Sequence, residues 1–180
     1  AMLAEQFSKV RVGTPEMDLD CGPVVNIAQR DRVAFYLNEA KKSGIAVVAQ
    51  GTLAPGLPAN GYYVTPTLLG RVPADHRCAQ EEIFGPVLAT MSFDTEEQGI
   101  AMANSTAYGL MAAVWTENGG RQQRVSKAIK AGQVYINAFG AGGGVELPFG
   151  GVKKSGHGRE KGFLAMEEMS TTKTVVHYHG

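Results

Sequence analysis

The feature that most limits what this chain can fold into is an alternation of apolar runs with helix-forming segments. The runs with strand character lie at residues 45–49, 87–93, 110–116 and 133–137. The segments with helical character lie at residues 27–43, from the Asp94 region to about residue 104, and at residues 120–130. Strand and helix therefore alternate at least three times, which is typical of βαβ units. The sequence predicts an α/β fold with a Rossmann-like parallel sheet flanked by helices.

Local signals predict where the helices begin and which side they bury. Asn26 offers an N-cap oxygen to the helix at residues 27–43. The residues of this helix expected to face inward are Ile27, Ala34, Leu37 and Ala40. Asp94 is predicted to cap the next helix, with Glu97 three residues later as in a capping box. Two shorter helices are expected at residues 77–82 and 163–169.

The strand candidates differ in their expected environment. Residues 45–49 are continuously apolar, which predicts a buried strand. Residues 62–69 are β-rich but contain Pro66, which lacks a backbone N–H and so favours an edge or bulged strand. The segment at residues 171–178 alternates weakly and predicts a last, exposed strand.

Composition excludes several classes of protein. The chain has 180 residues with 17 basic and 17 acidic side chains, and 44% are hydrophobic, which suits one domain with a core. Zero net charge argues against nucleic-acid binding, and no apolar run is long enough to span a membrane. The two cysteines, Cys21 and Cys78, are too few for a disulfide framework, so we expect a reducing, cytoplasmic setting and two buried, structural thiols.

The octapeptide at residues 80–87 combines two carboxylates and an aromatic ring with a Gly-Pro pair that ends regular helix. Gly85 and Pro86 stop a helix and force an extended exit, so Glu82 and Phe84 are predicted to lie on a turn before a strand. There a carboxylate can meet a ligand hydroxyl and an aromatic ring can support a flat ring system. The alternative is a capped turn with a core phenylalanine. Glu81 is expected to be structural.

The late, glycine-rich part of the chain offers further candidates. Residues 140–144 are not followed by the Gly-Lys-Ser/Thr of a P-loop, which favours a loop over a phosphate cradle. Lys153 and Ser155 are expected to hold this region by hydrogen bonds, and Arg159 with Glu160 is expected to be an ion pair. His177 and His179 have the spacing of a metal pair on a strand, but no third ligand accompanies them, so no metal site is predicted.

Several segments together resemble a known family. The chain contains E-E-x-F-G-P at residues 81–86, G-Y-Y-V-T-P-T at residues 61–67, Y-G-L at residues 108–110, A-G-x-V-x-x-N at residues 131–137 and P-F-G-G-x-K-x-S-G at residues 148–156. In their order along the chain, these segments resemble the aldehyde dehydrogenase superfamily over nearly the whole chain. The resemblance implies a nicotinamide cofactor, NAD or NADP, and a small aldehyde substrate.

The resemblance also assigns roles to individual residues. It implies that Glu82 binds the nicotinamide ribose hydroxyls and that Phe84 packs near the nicotinamide. Phe139 and Phe149 are expected to line the substrate tunnel, with the loop at residues 137–149 shaping its entrance. The alternatives are a flexible loop around Phe139 and a core position for Phe149. The family oxidises aldehydes to carboxylates through a thioester on a cysteine. That nucleophilic cysteine, the general-base glutamate and the oxyanion asparagine are all expected upstream of this chain, so no catalytic residue is assigned within it.

The expected domain organisation follows from the same resemblance. Residues 1–168 are expected to be the C-terminal portion of the catalytic domain, and residues 169–180 an oligomerisation strand through which the protein self-associates. The chain alone is expected to be inactive. The alternatives are a catalytically silent assembly or interaction module with the same fold, and a related acylating or acyl-phosphate-forming dehydrogenase.

Overall fold

Two units, Ala1–Phe93 and Asp94–Gly180, make up the computed structural model, which describes residues 2–140 and 144–180. The elements of the first unit are α1 (Met2–Ser8), β1 (Arg11–Val12), a 3-10 turn (Pro15–Met17), α2 (Ile27–Lys42), β2 (Ala46–Gln50), β3 (Thr52–Leu53), β4 (Thr67–Gly70), α3 (Arg77–Gln80) and β5 (Val87–Ala89). The elements of the second unit are α4 (Glu96–Asn104), β6 (Met111–Val114), α5 (Gly119–Ala128), β7 (Gln133–Ile136), a 3-10 turn (Lys153–Ser155) and α6 (Gly162–Glu168). Helices and strands alternate in both units, which confirms the α/β class.

The strands of the first unit form two small sheets. One pairs β1 with β3 in parallel, and the other has the order β2-β4-β5. Within the second sheet β4 runs parallel to β5 but antiparallel to β2, with a register shift between Val47 and Ala49. In the second unit β6 and β7 are parallel, with Met111 opposite Gln133. The expected parallel pairing is therefore present in each unit, accompanied by one antiparallel edge.

The core described for this chain lies in the first unit and is organised on α2. This helix begins where predicted, because the Asn26 side chain accepts a hydrogen bond from the backbone N–H of Gln29 at 2.8 Å. Its buried residues are Val33, Tyr36 and Ala40, which pack with Ile45, Leu69, Val72, Cys78 and Ile83. The predicted inward stripe is correct for Ala40 and partly for Leu37, which packs against the core. It is wrong for Ile27 and Ala34, which are exposed.

Three predictions about the strands are wrong, each because a strand's environment depends on its neighbours. The apolar run at residues 45–49 forms β2, but Val47 and Val48 are 53% and 50% exposed because β2 is an edge strand. The segment at residues 62–69 contributes the central strand β4, and Pro66 lies just before its first paired residue. Residues 170–180 are exposed as expected but form no strand within the described part of the chain, since no segment there pairs with them.

The start of α4 is shifted by one residue from the prediction. Thr95 rather than Asp94 is the N-cap, and its hydroxyl accepts from the backbone N–H of Gln98 at 3.2 Å. The Gln98 side chain in turn accepts from the backbone N–H of Asp94 at 2.9 Å. Thr95 therefore makes the N-cap half of a capping box with Gln98, and the return bond from the Gln98 side chain goes to Asp94, the residue before the cap, rather than to the cap itself.

Candidate functional site

In the first unit, the backbone from Glu82 to Phe84 forms a turn that is held by two side chains of α2. The side-chain amide of Gln29 donates to the carbonyl oxygens of Ile83 at 3.0 Å and Phe84 at 2.6 Å. The guanidinium of Arg32 donates to the carbonyl oxygen of Glu82. Three consecutive carbonyls are thus engaged by one helix, which fixes the orientation of the turn.

Phe84 is presented to solvent by a strained backbone. Its φ of 60° lies in the left-handed region, which is uncommon for a residue with a bulky side chain. The side chain is 67% exposed, so the alternative of a core phenylalanine is wrong. Strain of this kind persists only where the surroundings impose it, and it clusters at ligand-binding and active sites.

Gly85 allows the turn to approach α2 closely. A Cβ atom at this position would lie 2.4 Å from Cγ2 of Val33, a core residue of α2. No side chain fits at that distance, so the turn keeps this position only with glycine. Gly85, which with Pro86 predicted the end of the helix, therefore also determines how closely the turn packs on α2.

The two adjacent carboxylates have different environments. Glu81 accepts a hydrogen bond from the Tyr36 hydroxyl at 2.6 Å and forms an ion pair with Arg77 at 3.1 Å. The hydrogen bond from Tyr36, followed by that from Arg77, holds the pKa of the Glu81 carboxyl below its ordinary value. The Glu82 carboxylate is exposed and has no hydrogen bond or ion pair to any residue that the structure describes. Glu81 is therefore structural, as predicted, and Glu82 is the carboxylate available to a ligand.

In the second unit, Asn137 links the chain segments that follow the parallel strands β6 and β7. Asn137 directly follows β7, with a φ of 51°. Its side-chain oxygen accepts from the backbone N–H of Thr116 at 2.8 Å, and its side-chain nitrogen donates to the Thr116 carbonyl at 3.0 Å. These bonds join the carboxyl ends of both strands, the edge at which open α/β sheets commonly bind ligands.

Phe139 lies two residues beyond this junction and is 84% exposed. It borders an apolar cavity of about 300 Å³ on the β6–β7 pair. The other lining residues are Met111, Ala112, Ala113, Tyr135 and Gly140. Residues 141–143, part of the predicted entrance loop, lie outside the described residues. The surroundings of Phe139 suit an apolar ligand, and its role in a tunnel stays a prediction.

Phe149 is half-buried and borders a different cavity of the same unit, of about 320 Å³. Its backbone pairs with that of Glu160 through two hydrogen bonds of 2.6 and 2.7 Å. The Lys161 ammonium lies 5.7 Å from the centre of its ring, within cation–π range. Phe139 and Phe149 therefore do not line the same cavity, and the tunnel role of Phe149 also stays a prediction.

The hydrogen bonds expected of Lys153 and Ser155 are confirmed. The Lys153 ammonium donates to the carbonyls of Asn104 and Thr106 at 3.0 and 3.1 Å, and the Ser155 hydroxyl accepts from the backbone N–H of Gly109 at 3.1 Å. The ion pair expected between Arg159 and Glu160 is not found among the described residues. Arg159 instead donates to three carbonyls, those of Gly151, His157 and Gly158.

The cysteines are free thiols with different exposure. Cys78 is buried, and its thiol lies 3.5 Å from the Tyr36 carbonyl, to which it donates. Burial raises the pKa of the Cys78 thiol, which keeps it protonated and makes it a poor nucleophile. Cys21 is only partly buried, so the expectation of a buried thiol is wrong at that position. It forms an isolated β-bridge with Val12, and its backbone bonds to Arg11 and Gly13.

Residues 2–140 and 144–180 contain neither a cluster of metal ligands nor a helix that could span a membrane. No group of three His, Cys, Asp or Glu side chains there is arranged to hold a metal ion. His177 and His179 are exposed, with ring centres 6.5 Å apart. In the same ranges, every helix is too short or too polar to cross a membrane.

Gln29 and Arg32, which hold the Glu82–Phe84 turn, were not predicted from the sequence as parts of the site. Both are polar and lie on the same side of α2 as the core residues Val33 and Tyr36. Polar side chains beside the buried stripe of a helix could have indicated this role, because they need hydrogen-bond partners on the segment that packs against the helix. Their partners are 54 and 50 residues away in sequence, so only the fold identifies them.

Comparison with known proteins supports one family. The model of the aldehyde dehydrogenase family matches residues 1–175. Betaine aldehyde dehydrogenase of Brucella anthropi is 44% identical over 176 residues, which are 96% of this chain and 36% of that protein. The 4-trimethylaminobutyraldehyde dehydrogenase of Rattus norvegicus is 40% identical over 177 residues, with the same coverage of 96% and 36%. The chain thus spans about a third of the length of these relatives.

Solved structures agree with the sequence comparison. A putative aldehyde dehydrogenase from Burkholderia cenocepacia is 51% identical with a TM-score of 0.94, over 99% of this chain and 38% of that one. An aldehyde dehydrogenase of Mycobacterium tuberculosis, complexed with NAD⁺, is 38% identical with a TM-score of 0.84, over 91% of this chain and 34% of that one.

Proposed function

This chain belongs to the aldehyde dehydrogenase family, and from that premise we propose that it is the C-terminal part of a longer enzyme that oxidises an aldehyde to a carboxylate. Its coverage of about a third of each relative supports a part rather than a whole. The nucleophilic cysteine, the base and the oxyanion donor would be supplied by the rest of the enzyme. The protonated state favoured for the buried Cys78 supports this division.

The observation that carries the proposal is the turn at Glu82 and Phe84. A carboxylate without a protein partner can accept hydrogen bonds from two neighbouring ribose hydroxyls. Next to it, an exposed phenylalanine ring offers a flat apolar face to a nicotinamide ring. The residues therefore fit the nicotinamide end of a dinucleotide, which when bound accepts a hydride from the substrate. This chain would bind and orient that end.

The cofactor is NAD or NADP under this proposal. Both share the nicotinamide ribose, and the proposed contacts of Glu82 and Phe84 are to that shared part. Structures of family members from Mycobacterium tuberculosis and Bacillus cereus with NAD⁺ support NAD as the first cofactor to test. The two free cysteines support a reducing, cytoplasmic setting.

On the substrate side, the apolar cavity beside Phe139 would exclude water from an aldehyde carbon chain. Phe149 would contribute a second aromatic surface, and the loop at residues 137–149 would shape the entrance. The anchoring of this loop by Asn137 to Thr116 supports a fixed starting point for that entrance. We assign residues 1–168 to the catalytic domain on this basis.

A second candidate function is a silent assembly module that keeps the family fold. The exposed apolar side chains of α6 and the segment after it favour self-association; they are Phe163, Leu164, Met166, Met169, Val175, Val176 and Tyr178. Unpaired backbone at residues 171–176 can be satisfied by a strand of another copy. Self-association through residues 169–180 is compatible with both candidates, so only an activity measurement separates them.

The test is Glu82→Gln in the full-length protein, with Glu97→Gln as the matched control. Glu97 is an exposed helix residue of the second unit. With NAD⁺ and a panel of aldehydes, we expect Glu82→Gln to slow single-turnover hydride transfer about tenfold to hundredfold, the worth of one hydrogen bond to a charged group. Total NAD⁺ affinity should change little, because the rest of the dinucleotide supplies most of the binding.

The isolated chain of 180 residues, assayed in parallel, should give no NADH above a blank. Absence of turnover by the full-length protein across the panel would favour the silent module. Equal rates for Glu82→Gln and the control would remove Glu82 from the site. Turnover by the isolated chain would show that no upstream thiol is required.

A further inference from the structure

We propose that Gln29, Arg32 and Tyr36 form a positioning bracket that sets the orientation of the cofactor-binding turn, and this inference rests on the function proposed above. The three side chains are called the α2 bracket below. None of them needs to touch the cofactor for this role. They would act through the turn by fixing where the Glu82 carboxylate and the Phe84 ring point.

The bracket residues share one face of α2. Their spacing of three and then four residues places them in a row along a helix. From this row Gln29 reaches the carbonyls of Ile83 and Phe84, and Arg32 reaches the carbonyl of Glu82.

Glu81 directly precedes the turn, and its carboxylate accepts a hydrogen bond from the Tyr36 hydroxyl. Four consecutive residues, 81–84, are therefore each hydrogen-bonded to the bracket. This continuous set of contacts fixes the position of the turn on α2.

The bracket is itself held in place. Tyr36 is 2% exposed and belongs to the core. The Arg32 guanidinium lies 5.0 Å from the centre of the Tyr36 ring, and the Arg77 guanidinium lies 5.9 Å from it. A guanidinium over an aromatic face is attracted to it, which restricts the rotamers of an otherwise exposed arginine. Arg32 is therefore oriented by a buried ring before it meets the turn.

The strained backbone of Phe84 indicates why such a bracket is needed. A bulky residue at a φ of 60° stays there only if its surroundings over-determine the conformation. Without the bonds to the three carbonyls, the turn can relax and the carboxylate and ring lose their alignment. A displacement of about 1 Å in a positioning group can cost about a hundredfold in rate. The bracket would therefore affect hydride transfer more than cofactor affinity.

The experiment compares Arg32→Met and Gln29→Met with Arg30→Met in the full-length protein. Arg30 is an exposed arginine of the same helix whose guanidinium pairs with the neighbouring Asp31 at 2.9 Å. For each variant, the single-turnover rate of NADH formation, the Kd for NAD⁺ and the kinetic isotope effect with a 1-deuterated aldehyde are measured. Thermal unfolding checks that each variant is folded.

We expect Arg32→Met and Gln29→Met to slow hydride transfer about tenfold or more, with the Kd for NAD⁺ within about twofold of wild type. The isotope effect should rise as hydride transfer becomes rate-limiting, which a loss of stability alone would not produce. Arg32→Lys keeps a cationic donor group and should retain more of the rate than Arg32→Met. Arg30→Met should behave as wild type.

Glu82→Gln in the same series separates the two proposals. If Glu82→Gln slows hydride transfer but folded Arg32→Met and Gln29→Met both match Arg30→Met, the bracket is wrong and the proposed function stands. If Glu82→Gln also has no effect, the cofactor assignment itself fails. If Arg32→Met does not fold, the test uses Arg32→Lys and Gln29→Met instead. Wild-type single-turnover rates of NADH formation in both variants would overturn the bracket.

Discussion

Replacing Gly85 by alanine tests how closely the cofactor-binding turn packs on α2. The added Cβ would lie 2.4 Å from Cγ2 and 3.6 Å from Cβ of Val33. Val33 is fully buried and belongs to the core, so neither the turn nor the valine can move without disturbing other contacts. The backbone of Gly85 is not left-handed, so alanine adds this steric conflict without conformational strain.

The expected size of the effect combines two opposing contributions. Overpacking a core typically costs about 1–3 kcal/mol. Replacing glycine by alanine also lowers the conformational entropy of the unfolded chain, which stabilises the folded state by about 0.4–1 kcal/mol. A net destabilisation on the order of 1–2 kcal/mol follows, which corresponds to roughly a 5- to 30-fold larger population of the opened state. We expect this loss in the first unit, which contains both residues.

Hydrogen exchange followed by mass spectrometry measures this change locally. Peptides that cover α2 should exchange roughly 5- to 30-fold faster in Gly85→Ala than in wild type. Gly22→Ala is the control, because no atom lies within 4 Å of a Cβ built there. In a Val33→Ala background Gly85→Ala should cost less, since the conflicting methyl is gone. Equal exchange in Gly85→Ala and Gly22→Ala would refute the close packing of the turn on α2.

Two further predictions concern the second unit. The pKa of Glu96 is about 2, lowered from 4.5 by hydrogen bonds from Arg124 and then Arg121. The folded state therefore gains stability from this carboxylate above about pH 4.5 and loses it as the pH falls towards 2. Urea midpoints between pH 7 and pH 3 should decline less in Glu96→Gln than in wild type, and parallel curves would contradict this. Deletion of the chain from Thr171 onward in the full-length protein should lower the oligomer mass measured by light scattering. An unchanged mass would exclude this segment as the element that joins subunits.

The order and type of most elements were predictable because their signals are local, the segment at residues 171–178 being the exception. Asn26 caps α2 as predicted, since a cap needs only the first turn that follows it. The turn at Glu82 and Phe84 was also predictable, because Gly85 and Pro86 restrict the backbone directly. The family resemblance rested on motifs in order along the chain, and the comparison over residues 1–175 confirms it.

Environment was harder to predict than secondary structure. An apolar run such as residues 45–49 is typical of a buried strand, yet β2 is an edge strand because only β4 pairs with it within the described residues. Pro66 favours an edge strand, but it precedes the ladder of β4, and its carbonyl accepts from the backbone N–H of Gly51 at 2.9 Å. Which strand is central is decided by pairing between distant segments, and a local pattern does not contain that information.

The candidate site was predictable only in part, because its residue types are read locally whereas their partners are distant in sequence. The residue types at Glu82 and Phe84 carry their own chemistry, so sequence alone suggested a carboxylate and a ring for a ligand. The difference between Glu81 and Glu82 depends on Tyr36 and Arg77, of which Tyr36 comes from another helix. The support from Gln29 likewise crosses more than fifty residues of sequence, 54 to the Ile83 carbonyl.

The central claim is that the Glu82–Phe84 turn holds the nicotinamide end of the cofactor. A crystal structure of the full-length protein with NAD⁺ tests it most directly. The account predicts the Glu82 carboxylate oxygens at about 2.6–3.2 Å from the hydroxyls of the nicotinamide ribose. It also predicts the Phe84 ring in van der Waals contact with the nicotinamide. A bound NAD⁺ whose nicotinamide ribose is held by other residues, with Glu82 facing solvent, would contradict the account.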